Sequence, residues 1–195
     1  PQVVLQQALG ARMSRAKQNL ATQAAVAACD AADGVTDGVL EDPRSCSYNP
    51  ATDPAITRAS CTAGDDSCLT PAEAGAIQKI WGGARTASGE LLWPGLERGA
   101  SLSGLAGSNP FFIATEQPKY WVYLDPSWDW KTLNYQNYEA FFDKTVEMVG
   151  PVIGTDDPGP SRVPFPAPPL NTMDESRLSP VPLTDRVSSP PSPFT

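Results

Sequence analysis

Four cysteines, Cys29, Cys46, Cys61 and Cys68, fall within 40 residues of one another, and they restrict this chain more than any other feature. None forms C-x-x-C, and the chain has no histidine, so a zinc site has poor support. An even, clustered set in an acidic chain rich in Asp and Pro points to two disulfides and an oxidising compartment. Four cysteines allow three pairings. The nearest-neighbour pairing closes two short loops, each adding about 2–3 kcal/mol by the chain-entropy argument. The competing reading is four reduced, buried thiols.

The rest of the composition narrows the partners. The 195 residues suit one ordinary domain, and 41% hydrophobic content is enough for a core. A net charge of −8 and a pI near 4.5 disfavour nucleic-acid backbones and anionic membrane surfaces, which would repel the chain. No nucleic-acid or membrane partner is therefore expected. No apolar run approaches the roughly 20 residues of a membrane span. The first ten residues lack an initiator Met, a basic start and a long apolar stretch, so they read as internal to a longer protein rather than as a signal peptide.

The residues predict a mixed fold, mainly α and irregular. Residues 12–28 are Ala-rich with straight-chain side chains, the composition of a helix. The stretch 29–46, CDAADGVTDGVLEDPRSC, carries two Asp-Gly steps and an Asp-Pro step and reads as a tight loop. A helix over 71–81 is predicted by Thr70 as N-cap, Pro71 at the first helical position and Glu73 completing a capping box. Ala74, Ile77, Ile80 and Trp81 then share one face, and Gly82-Gly83 stops the helix. A short hairpin is expected around Ser88-Gly89. Tyr120–Leu124 fits a short strand or a helix end, and residues 137–148 fit a helix with Tyr138, Phe141, Phe142, Thr145 and Met148 on one face. Twelve of the 21 prolines follow residue 150, and the Pro/Ser-rich tail over 158–195 reads as extended or disordered.

The loop offers the clearest chemistry. Asp30, Asp33 and Asp37 place three carboxylates within eight residues, while Gly34 and Gly38 permit sharp turns that aim carbonyls inward. With the carbonyls of Val35 and Val39 this makes a hard-oxygen set suited to calcium. Three carboxylates crowded without a cation would repel one another. The EF-hand pattern is absent. The plainer reading is a solvated acidic turn in which Asp side chains cap backbone amides.

No catalytic set emerges. Without histidine neither a Ser-His-Asp nor a Cys-His arrangement can shuttle a proton. There is no G-x-S-x-G elbow, P-loop or G-x-G-x-x-G. Ser14-Arg15-Ala16-Lys17 matches S-x-x-K, but nothing accompanies it. The many aromatics, Trp81, Trp93, Phe111, Phe112, Trp121, Tyr123, Trp128 and Trp130, are expected mainly in the core, with one or two facing a substrate.

The runs AACDAADGVTDGVLEDPRSC, CLTPAEAGAIQKIWGG and YWVYLDPSWDWKT together resemble the lid domain of the tannase and feruloyl esterase family, over about residues 1–157. The resemblance implies a calcium- and disulfide-stabilised lid of an α/β-hydrolase, without the hydrolase core. It implies Asp30, Asp33 and Asp37 side chains and Val35 and Val39 carbonyls as calcium ligands, with pairings Cys29–Cys46 and Cys61–Cys68. It further implies a secreted or periplasmic serine carboxylic ester hydrolase acting on aromatic, gallate- or ferulate-type esters. The family's nucleophile, acid and His have no counterpart here, so a lid fragment inactive by itself is expected, its ester substrate reached only with the missing core. Trp93, Phe111, Phe112 and Trp121 are the expected substrate contacts. The abrupt change after residue 157 suggests a truncated or frameshifted continuation. The alternative is a stand-alone calcium-stabilised binding module; a third is a non-functional remnant.

Overall fold

Two capped helices and the ion pair between them organise the chain, whose computed structural model describes residues 1–103 and 109–154. The first, α2 (Arg15–Cys29), begins three residues later than the composition suggests. The reason is Ser14, whose backbone is extended and whose Oγ accepts from Lys17 N at 3.2 Å. That hydroxyl satisfies one of the amides a helix start leaves unpaired. The same Oγ donates to Asp66 Oδ1 at 2.6 Å, which ties the helix start to a distant loop. A shorter helix, α1 (Gln2–Leu9), precedes it; with no side-chain cap, it carries no start signal in the sequence.

The second capped helix, α3, spans Pro71–Gly82. Thr70 Oγ1 accepts from Glu73 N at 3.2 Å, and Glu73 Oε2 accepts from Thr70 N at 2.8 Å, so each residue satisfies the other's amide. Glu73 has a further task. Lys17 Nζ lies 2.7 Å from Glu73 Oε2 and also donates to the Thr62 carbonyl at 2.7 Å. The Lys17 side chain is fully buried and that of Glu73 is 7% exposed. Three segments, α2, the 61–68 loop and α3, thus meet at one ammonium group.

Apolar burial surrounds this pair. Leu5, Met13, Ala21, Ala25, Leu69 and Ile77 are all buried in one cluster with the inner face of α3. Each fully buried Leu or Ile in it contributes about 1.5–3 kcal/mol. Ala21 and Ala25 lie four apart, on one side of α2. Ala74, Ile77, Ile80 and Trp81 all point inward, as their spacing predicts. Arg98 covers the Trp81 ring at 5.4 Å and donates from Nε to the Tyr48 carbonyl at 2.8 Å. The disulfides are Cys29–Cys46, which joins the end of α2 to a 3₁₀ turn at Pro43–Ser45, and Cys61–Cys68, just ahead of α3. Leu69 N donates to Ile56 O at 2.7 Å and Arg58 N to Leu69 O at 3.1 Å, which pins the entry to α3.

Beyond α3 the chain changes character. Strands β1 (Ala84–Arg85) and β2 (Leu91–Trp93) form a short antiparallel hairpin, with Ala84 opposite Trp93 and Arg85 opposite Leu91. Helix α4 (Ile113–Gln117) runs into a π-helical turn at Pro118–Val122, so the apolar stretch before Leu124 is a helix end and not a strand. Helix α5 (Tyr138–Ile153) packs on that π turn and extends past the 137–148 expected for it. Its buried residue is Val149; Met148, expected on the inner face, is exposed. Tyr123, Trp128 and Phe141 stack nearly parallel, with centroids 5.5–6.3 Å apart. Among the ties of this segment to what precedes it, Lys79 Nζ sits 4.3 Å over the Tyr135 ring and Ala87 N donates to Glu139 at 3.1 Å.

The aromatics correct the sequence reading. Of the eight expected mainly in the core, only Trp81 is buried. Trp93, Phe111, Phe112 and Trp121 are all more than half exposed. Among the described residues no second layer covers their stretch. The 158–195 tail lies outside the described residues. No helix of the described residues is long and apolar enough to cross a membrane.

Lys17→Met should destabilise the fold by about 3–5 kcal/mol, because it strands a buried carboxylate. Urea unfolding monitored by circular dichroism checks this; pairing it with Glu73→Leu should recover much of the loss.

Candidate functional site

The Asp loop begins where α2 ends. A 3₁₀ turn over Asp30–Asp33 tightens the chain, and Gly34 and Gly38 then take φ of +92° and +83°. Those values suit glycine and strain any other residue, which is why both Asp-Gly steps sit there. Asp30, buried to 7% exposure, accepts from Gly38 N at 2.9 Å and so closes the loop on itself. Asp33 accepts from Val35 N at 2.8 Å and Asp37 from Val39 N at 3.0 Å, two Asx turns in succession.

Each of these bonds uses one oxygen, Oδ1, of its carboxylate. A second oxygen on each of the three Asp remains for other use. The donor set is entirely hard oxygen, since Cys29 and Cys46 are joined to each other. A cavity of about 200 Å³ lies beside the loop, lined by Asp33, Leu40, Glu41, Asp42 and the Cys29–Cys46 pair. Arg44 holds the Asp42 carboxyl below the usual range through its side-chain and backbone hydrogen bonds. Among the described residues, the acidic or sulfur group whose ligand atoms all lie within 4.8 Å of one another is Cys61, Asp65 and Cys68, and both sulfurs there are spent on a disulfide. The carboxylates of Asp30, Asp33 and Asp37 do not all come that close to one another. In chemistry the set fits calcium, and the Oδ2 atoms and the Val35 and Val39 carbonyls are the groups that would hold it.

The expected substrate contacts separate in the structure. Phe111 and Phe112 meet edge to face at 5.1 Å. Phe112 lines a groove of about 540 Å³ with Trp128 and Trp130, whereas Trp93 on β2 and Trp121 on the π turn are not part of its lining. Trp128 and Trp130, which line this groove, were not among the expected substrate contacts. The available signal was the repeated pattern of turn-forming Asp beside Trp: Asp125 accepts from Ser127 N at 2.8 Å, and Asp129 caps the 3₁₀ turn at Trp130–Thr132 through Lys131 N.

The comparisons with known proteins agree with one another. The family model described as "Tannase and feruloyl esterase" matches residues 2–123. A probable feruloyl esterase of Arthroderma benhamiae is 30% identical over 146 residues, covering 70% of this chain and 27% of that protein. Feruloyl esterase C of Talaromyces stipitatus is 32% identical over 130 residues, covering 65% of this chain and 24% of that protein. The chain thus spans about a quarter of the length of the curated relatives it matches. An Aspergillus oryzae esterase superposes with a TM-score of 0.58 at 26% identity, over 70% of this chain and 26% of that one. Feruloyl esterase B from the same organism superposes at 0.62 with 21% identity, over 74% of this chain and 29% of its own, a likeness of fold.

The groove rim gives a pH prediction. Hydrogen bonds from the Ser127 hydroxyl and then its amide hold the Asp125 carboxyl below the usual range. Ser127→Ala should raise the Asp125 pKa toward the ordinary carboxylate value, read by NMR titration. A depressed folded pKa favours folding above the unfolded value near 3.9 and loses that contribution as pH falls through the folded one. The variant should therefore show less of this acid-range slope.

Proposed function

The chain belongs to the tannase and feruloyl esterase family, and from that premise we propose that it is the lid portion of a secreted serine ester hydrolase acting on aromatic esters. The observation that carries this is a combination within one body. The chain presents Phe111, Phe112, Ile113, Trp121 and Leu124 to solvent at 51–71% exposure, yet it contains no histidine to move a proton. Such a body suits the wall of a pocket whose chemistry is done elsewhere in a longer polypeptide. Its apolar side chains gain only when something covers them.

On this reading the lid shapes the acyl side of the pocket and excludes water from it. Its value lies in rigidity. The Cys29–Cys46 bridge fixes both ends of the Asp loop. Calcium, when bound, adds a positive charge that offsets the mutual repulsion of Asp30, Asp33 and Asp37. Loop residues 30–39 are then held by bridge, Asx turns and cation together, which preorganises the surface they support. The two disulfides fit an oxidising, extracellular or periplasmic setting. The relatives' names and the aromatic surface support gallate- or ferulate-type esters as the substrate class.

The test is a calcium titration of the purified chain by calorimetry and thermal melting, beside an assay with methyl ferulate. Saturating calcium at about 100 times its dissociation constant should stabilise the fold by about 2.7 kcal/mol. Asp33→Ala and Asp37→Ala should abolish the effect, and no ester should turn over. An unchanged melting curve with calcium would remove the metal from the account. Turnover by the chain alone would contradict the lid reading.

A further inference from the structure

We infer that Asp33-Gly34 is a site of spontaneous isoaspartate formation, and that the fold protects the matching step at Asp37-Gly38. The inference goes beyond the lid reading and does not rest on calcium: it concerns how an exposed loop ages. The loop holds the same tripeptide twice, Asp33-Gly34-Val35 and Asp37-Gly38-Val39. An aspartate followed by glycine is especially open to this chemistry, because no Cβ shields the glycine nitrogen. Residues 31–39 are all exposed, and among the described residues nothing stands within 4 Å of a Cβ placed at either glycine. With the tripeptide the same, a difference between the two steps comes from structure.

The chemistry is a condensation followed by a hydrolysis. The Gly34 nitrogen attacks Cγ of Asp33, the N–Cγ bond forms, and a carboxyl oxygen leaves as water with the amide proton and a proton from solvent. The product is a cyclic imide. Water then adds to the α-carbonyl carbon of Asp33 and breaks its bond to nitrogen. The main chain now runs through Cγ, and the former α-carboxyl has become the side chain. No mass is gained or lost overall, and water is the sole co-reactant. Asp33 accepts from Val35 N at 2.8 Å and Asp37 from Val39 N at 3.0 Å. Each such Asx turn curls the carboxyl forward over the amide that follows it, which brings the reacting carbon and nitrogen together.

The two glycine amides differ in what holds them. Gly38 N donates to Oδ1 of the buried Asp30 at 2.9 Å. Gly34 N donates to the Ala31 carbonyl at 3.2 Å, inside the short 3₁₀ turn over Asp30–Asp33. A hydrogen bond to a carboxylate is roughly twice as strong as one between neutral groups. The nitrogen must leave its acceptor before it attacks, so Gly38 is restrained and Gly34 much less so. Asp30 thereby protects the Asp37 step. Isomerisation at Asp33 ends its Oδ1 bond to Val35 N and lengthens the main chain between Cys29 and Cys46, whose bridge still closes the loop.

The experiment incubates the full chain at physiological temperature in neutral buffer with a chelator, native in one arm and reduced in urea in the other. The tryptic peptide over 18–44 carries both steps. Mass spectrometry with electron-transfer fragmentation locates each isoaspartate in it. The native protein should accumulate the Asp33 isomer about tenfold faster than the Asp37 isomer, the ratio set by the stronger hold on Gly38. The unfolded chain should form both at similar rates. Asp30→Ala should raise the Asp37 rate severalfold, toward that of Asp33, and Asp33→Glu should remove the isomer at that position. Equal rates in the native protein, a faster Asp37, or isoaspartate at Asp33 in the unfolded arm alone would each overturn the inference. If Asp30→Ala does not fold, the comparison of native and unfolded parent decides by itself. Calcium affinity and ester turnover, which test the lid proposal, enter none of these readings, so the two fail separately.

Discussion

Lys17 is buried completely in a helix of small residues, and the carboxylate that makes this tolerable lies 56 positions away at Glu73. A lone ammonium in that place would cost several kcal/mol in desolvation. With Glu73 and the Thr62 carbonyl both at 2.7 Å, the charge is paired and hydrogen-bonded. The geometry matters more than the net energy. The pair holds when α2, the 61–68 loop and the first turn of α3 arrive together, and Glu73 must also serve the Thr70 amide. Buried ion pairs of this sort are weak sources of stability and good enforcers of register. Here the register sets where the Asp loop leaves α2 and where the aromatic segment leaves α3.

The contrast between the two halves of the described chain follows from this. Around Lys17 and Glu73, burial is nearly complete and both disulfides lie within reach in sequence. Past residue 110 many apolar side chains face water, among them Phe112 at 65%, Leu124 at 71% and Val152 at 78%. Helix α5 rests on the π turn and buries Val149 alone of its residues. A chain that folds about one end and leaves the other apolar and open suits the proposed lid role, in which that surface would be covered. The chain spans about a quarter of the length of the family relatives it matches.

What the sequence disclosed depended on range. The α3 start was legible because Thr70, Pro71 and Glu73 carry its cap within four residues. The turns of the Asp loop were legible because only glycine suits φ near +90°. Ser14 was a weaker signal, since its cap falls inside an Ala-rich run that looks helical on both sides. Lys17 was invisible: a lysine on such a helix reads as solvated until its partner is located in space. The pairing of the cysteines was open from spacing and came from family likeness. The aromatics were misplaced for a different reason. Residue type alone does not separate a core aromatic from a surface one, so Tyr123, Trp128 and Trp130, expected in the core, are only half-buried, whereas Trp93, Phe111, Phe112 and Trp121, the expected substrate contacts, stand exposed.

On the proposed lid reading stability is divided between a core fixed at Lys17 and Glu73 and an arm from Ile113 to Ile153 held loosely because its covering would lie elsewhere. Native-state hydrogen exchange of the chain, resolved by segment, measures that division directly. The slowest exchange is expected in Ala74–Ile80 and in Ala21–Ala25, with Tyr138–Ile153 exchanging much faster. If the amides of Tyr138–Ile153 were protected as strongly as those of Ala74–Ile80, the arm would be a self-sufficient part of the core, and the case for a surface awaiting a cover would fall.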